Sequence, residues 1–192
     1  MTDIRRPSFR LGSARGSVAA EVPLSVETLS HAARYLREQP PSADVVILEG
    51  VDALAPYRDE IEVLVKAAAD TNSQYEFYSL APAMEHLRGG SDVRVALLWS
   101  DANECGKREL IGSVPYRVSY GYFGLPLPVW RVWYHVHSYV CTPLLKRGHE
   151  RQAVRRFMAL ADRAGAAFVE FPMFEAGSAF DVALGEVAER QQ

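Results

Sequence analysis

Cysteine is nearly absent from this chain. Cys105 and Cys141 stand far apart and without C-x-x-C spacing. Neither a disulfide scaffold nor a zinc ribbon fits two such residues, and a reducing compartment, the cytoplasm, is the expected setting. No apolar run approaches the ~20 residues that a membrane-crossing helix needs. The first residues carry Arg5, Arg6, Arg10 and Arg15 against Asp3 alone, but no apolar stretch follows them, so the segment does not read as a secretory signal. An excess of positive charge is lacking too. Lys and Arg number 21 against 24 Asp and Glu, a net charge of -3 at pH 7, so no overall basic field draws the protein onto nucleic acid. Ser113 and Ser119 lie in strand-like sequence without the G-x-S-x-G of a nucleophile elbow. Internal repeats and low-complexity blocks are also missing.

What is present is ordinary globular composition, 48% hydrophobic and 23% charged over 192 residues. A chain of this length buries roughly 70% of its unfolded surface without help from metals or cross-links. Residues 1–43 read as a basic, flexible arm, with a short helix from Ser25 to about Glu38 on the spacing of Leu29, Ala32, Ala33 and Leu36. Pro40-Pro41 closes the arm, and residues 44–192 form the predicted domain.

Val45–Leu48 is a β-branched run expected as a buried strand. Tyr57, Ile61, Leu64, Val65 and Ala68 mark one apolar helical face, and Phe77, Leu80, Met84 and Leu87 mark a second, with Pro82 as its kink or its start. After Gly89-Gly90, Val93–Trp99 and Leu110–Ser119 predict an antiparallel pair joined by the polar stretch 101–108. Tyr120–Pro128 reads as an apolar loop suited to a contact surface. Val129–Thr142 predicts one long strand. An amphipathic helix over 150–164, a strand over 166–171 and a helix over 178–189 complete the order β, α, α, β, β, β, α, β, α. That order predicts an α/β (α+β) fold with a mixed sheet covered by helices.

The polar stretch of the long strand draws attention. Side chains alternate along a strand, so Trp133, His135, His137, Tyr139 and Cys141 share one predicted face. At ~3.3 Å per residue, His135 and Cys141 lie about 20 Å apart, too far for one metal ion, and no metal is expected. His137 or Tyr139 could take a proton from an incoming amine, with Trp133, His135 and Cys141 facing substrate. The competing reading is a half-buried aromatic face serving structure alone.

The stretches DVRVALLW, ELIGSVPYRV, the aromatic strand ending in SYVCTPLL, ERQAVRRFMALADRAG and AAFVEFPMF resemble the GNAT acyltransferase superfamily, in particular the N-terminal half of bacterial CelD-like and FemAB-like tandem proteins. The resemblance implies a GNAT-like, mostly antiparallel sheet and, after the last helix, two further strands that are not seen before Gln192. It implies acetyl-CoA or another acyl-CoA as cofactor, bound through its pyrophosphate at the helix after the long strand, where free N–H groups meet an anion. The stretch Lys146, Arg147, Gly148 and Arg151 corresponds. It has one glycine where the family's turn has two, and Glu150 stands where a phosphate disfavours an acid. The resemblance therefore implies a half that is non-catalytic alone and partnered by a second GNAT-like domain or by another copy. A non-enzymatic interaction or scaffold module is the other reading.

Overall fold

The computed structural model describes residues 44–189, so the arm and its short helix lie outside the described residues. Strand β1 (Val45–Glu49) leads into helices α1 (Val51–Leu54), α2 (Arg58–Ala67) and α3 (Phe77–His86). Strands β2 (Arg94–Trp99), β3 (Leu110–Tyr122), β4 (Leu125–Val132) and β5 (Leu144–Leu145) follow. Helix α4 (Glu150–Arg163), strand β6 (Phe168–Glu170) and helix α5 (Ala179–Glu189) end the described chain. The result is a mixed α/β domain with a mostly antiparallel sheet flanked by helices, as the sequence order predicts.

The sheet runs β1-β2-β3-β4-β6, with β5 also paired to β3. Every pair is antiparallel except β4 with β6, which run parallel from Val129↔Phe168 to Arg131↔Glu170. β-branched and leucine side chains of β2 and the first half of β3 are buried on both faces of the sheet, whereas β1 at its edge buries Val45 and Leu48 and leaves Ile47 exposed. Tyr116 stacks on Trp130 at 4.3 Å and meets Phe157 of α4 edge-on at 5.7 Å. Gly112 lets α4 come close: a Cβ there would lie 2.8 Å from Leu98 and 3.2 Å from Ala153. Helices α4 and α5 pack together over that face, and α2 reaches β3 and β5 from the other. Full burial of side chains of this size contributes about 1.5–3 kcal/mol each.

Two connections differ from the sequence expectation. Tyr120–Pro128 is not a loop but the tip of the β3–β4 hairpin, turned by Phe123 (φ 48°) and Gly124 (φ 82°). Two successive positive φ values match the twist of a two-residue hairpin. Phenylalanine rarely occupies that region, so the usual Asn-Gly signal is missing from the sequence.

The second difference is larger. The predicted strand 129–142 stops at Val132, and the chain leaves the sheet until Leu144. A continuous register from Tyr116↔Val132 would set Val136 opposite Gly112, but Leu145 stands there, nine residues further on. The cause lies in Pro115. Trp133 N–H still donates to Pro115 O at 2.9 Å. In a hydrogen-bonded antiparallel pair the reciprocal bond runs from the N–H of residue 115 to Trp133 O, and proline has no N–H to give. The ladder is cut at that rung, and the hydroxyl of buried Tyr75 donates to Trp133 O in its place.

Candidate functional site

Residues 133–143 form a folded excursion rather than an alternating strand, so the five predicted side chains do not share one face. Trp133 is buried, His135 half-buried, His137 and Tyr139 exposed, and Cys141 fully buried. Local bonds hold the outer turn: Ser138 N–H donates to His135 O (2.8 Å), His135 N–H to Ser138 Oγ (3.1 Å), and His137 N–H to His135 Nδ1 (3.2 Å). The two imidazoles lie 5.9 Å apart between ring centres. Burial, then the neighbouring His137, push the His135 pKa down. With Nδ1 accepting a backbone N–H, His135 is neutral and carries its proton on Nε2.

The inner side of the excursion is fastened to the core. Asn72, itself buried, donates to Thr142 O (2.9 Å) and Val140 O (3.4 Å), and its Oδ1 accepts Gln74 N–H (3.1 Å). Cys141 N–H donates to Met173 O at 2.5 Å. Burial raises the Cys141 thiol pKa, and burial first, then the nearby Cys141, raises that of Tyr75. A thiol held in its neutral form is a packing group and not a nucleophile. Among the described residues no cluster of three or more His, Cys, Asp or Glu is arranged to hold a metal.

Beyond Arg131↔Glu170 the parallel strands β4 and β6 no longer pair. Past the ends of these strands the excursion is joined to the segment after β6 by the Cys141–Met173 bond. Past β5, the segment predicted to cradle a pyrophosphate is also occupied. Lys146 pairs with Glu109 at 2.5 Å, which lowers the Glu109 pKa. Arg147 N–H bonds Ala67 O (2.9 Å), and the Arg147 guanidinium reaches Ala68 O (3.5 Å). Gly148 N–H donates to the carboxylate of Glu150 (2.9 Å), and Arg151 faces Glu186 of α5 (3.5 Å).

A cleft of about 450 Å³ opens where β4 leaves the sheet. Leu87 and Arg88 beyond α3 form one wall, Arg117 and Ser119 of β3 the floor, and Arg131 to Val136 the other wall. Of the residues predicted to face substrate, Trp133 and His135 line it, whereas His137, Tyr139 and Cys141 do not. The arginines here were not singled out by sequence reasoning. Their signal is a guanidinium at each of the opposed positions Arg117 and Arg131, and it appears only once the β3–β4 register is known.

No family model and no curated protein matches the chain. Among solved structures it is similar to an acetyltransferase of Trypanosoma brucei (11% identity over 69% of this chain and 83% of that one, TM-score 0.35). It is also similar to a glucosamine-6-phosphate N-acetyltransferase from Arabidopsis thaliana (11% identity, 73% and 90% covered, TM-score 0.40). At these values the likeness carries no argument about activity. No helix among the described residues is long and apolar enough to cross a membrane.

Proposed function

We propose that this chain is a GNAT-like domain of the CelD/FemAB type that does not transfer acyl groups alone. In this reading it works with a second GNAT-like domain or another copy of itself. That partner binds acyl-CoA and passes the acyl group to an amine or hydroxyl acceptor. The element order and the parallel β4–β6 pair support the GNAT-like part.

The observation that carries the non-catalytic part is the Glu150 carboxylate on Gly148 N–H. A helix N-terminus attracts a pyrophosphate through unsatisfied N–H groups and positive dipole potential. Here the protein's own carboxylate holds the N–H of Gly148, just ahead of the helix, and places negative charge beside the N–H groups of the first turn. The Cys141–Met173 bond, which ties the excursion to the segment after β6, works in the same direction.

The test is a calorimetric titration of the purified chain with acetyl-CoA. No heat at millimolar ligand is the expected result for the native chain, and Glu150→Gln, which removes the opposing charge, should bind more than the native chain does. Micromolar binding by the native chain would overturn the reading, and His137, Tyr139, Lys146, Arg147 and Arg151 would then be the first positions to substitute.

A further inference from the structure

We propose that the cleft between α3, β3 and β4 binds a small organic anion, a carboxylate or phosphate carried on an apolar body. The inference does not depend on the acyl-transfer reading, because none of the cleft's lining residues belongs to the α4 N-terminus.

The charge arrangement leads to it. Arg117 and Arg131 are direct partners in the β3–β4 register and so project from the same face of the sheet. Like charges set opposite one another across a ladder oppose folding. Each has a carboxylate on its outer side, but each is engaged through one nitrogen: Arg117 Nη2 with Asp92 (3.2 Å) and Arg131 Nε with Glu170 (2.7 Å). A guanidinium has five N–H donors in a planar fork, so both keep donors to spare. Arg88, exposed at the rim, has no ion-pair partner among the described residues. Among the described residues none that lines the cleft is acidic. An anion between these groups offsets their repulsion, and the two oxygens of a carboxylate or phosphate match the fork geometry.

The rest of the cleft describes the other end of the ligand. Leu87, Trp133 and Val136 give it an apolar lining, and its volume suits a small molecule rather than a bare ion. Ser119 also lines it, and its Oγ is buried without a hydrogen-bond partner. A buried hydroxyl without a partner is uncommon in a native fold. A hydroxyl rotor at the floor of a ligand site gains its partner when the ligand arrives.

The experiment uses the full chain and four probes at concentrations below micelle formation: octanoate, octyl phosphate, octanol and inorganic phosphate. Calorimetry is read alongside tryptophan emission. Octanoate or octyl phosphate binds at least about tenfold more tightly than octanol and than inorganic phosphate, and whichever binds more tightly identifies the headgroup. Arg88→Glu, at an exposed position that leaves the near-ultraviolet circular dichroism unchanged, weakens that probe by about tenfold. Arg117→Gln weakens it similarly. Octanol binding as tightly as both anionic probes, inorganic phosphate binding as tightly as the amphiphiles, no binding of either amphiphile at millimolar concentration, or full affinity in both arginine variants would each overturn the proposal.

Discussion

Strand β3 passes through two different proteins, in effect, on either side of Pro115. From Leu110 to Tyr116 every residue is buried, with β2 on one edge and β5 returning on the other. From Arg117 to Tyr122 every position is partly or fully exposed, and the neighbour is β4. The first half is a packed sheet between helices, in which apolar alternation, a glycine at the closest helix contact and an aromatic stack all serve one core. The second half carries arginines, an unsatisfied serine and an open cleft. One residue without an N–H separates them. Pro115 removes the rung that would have continued β4, and the first residues of the excursion, Trp133 to Val136, form the cleft wall. The cleft arises from a local failure of regular structure on a rigid support.

The packed half loses most when its aromatic stack is emptied. Phe157 is 2% exposed and touches both Tyr116 and Trp130. Phe157→Ala leaves a cavity beneath the stack and lowers unfolding free energy by about 3–5 kcal/mol, measured by urea denaturation. If the two halves were equally dispensable, the loss would fall within the range of a surface substitution.

A smaller change tests the splice between them. Tyr75→Phe deletes the hydroxyl that stands in for the missing proline N–H and leaves Trp133 O buried without a donor. The expected loss is about 1–3 kcal/mol. Asn72→Ala, which frees Val140 O and Thr142 O, costs a similar amount. For both variants, hydrogen exchange should rise in residues 133–143 and stay unchanged in β1 and β2. Uniform loss of protection across the sheet would mean that the excursion is not a separately anchored unit.

The sequence told the two halves apart unevenly, for physical reasons. The order of elements was legible because periodicity reports burial, and β1, β2, α2, α4 and α5 bury regular faces. The excursion was not legible because its Val, Trp and Tyr residues are strand formers. What overrides them is a missing donor on a different strand, eighteen residues upstream of Trp133. Pro115 was visible in the sequence, but a proline inside a strand pattern tells which rung is lost only when the partner is known. His137 and Tyr139 were singled out by an alternation that this chain does not follow. The cleft's arginines carry no signal in the sequence, because isolated arginines in strands look solvated until the register sets two of them face to face.

Thiol chemistry separates the regions at little energetic cost. Cys105 is exposed in the 100–109 loop, and Cys141 is buried under the excursion. At pH 8 an aromatic disulfide reagent should titrate one thiol in the native protein and two in denaturant. Burial raises the Cys141 pKa, so its contribution to stability is complete below the thiol's unfolded value and is lost as pH climbs through the raised one. Two fast native thiols would show that the excursion opens readily.

The smallest expected effect lies at His135, on the wall of the cleft. Its folded pKa is lowered, first by burial and then by His137. The unfolded chain therefore binds the proton more readily than the folded one between the two values. The resulting contribution to stability is complete above the unfolded value of about 6.5 and is lost as pH falls through it and on through the lower folded value. Because the side chain is only partly covered, the effect on unfolding is small, and the sharper reading is the titration itself. An NMR titration of the imidazole protons should place His135 below a free histidine. Substituting His137→Asn should move it partway back, since burial remains. Octanoate or octyl phosphate seated beside it should raise it, because a nearby negative charge favours the imidazolium. A His135 pKa that ignores both the substitution and the anion would separate this histidine from the cleft.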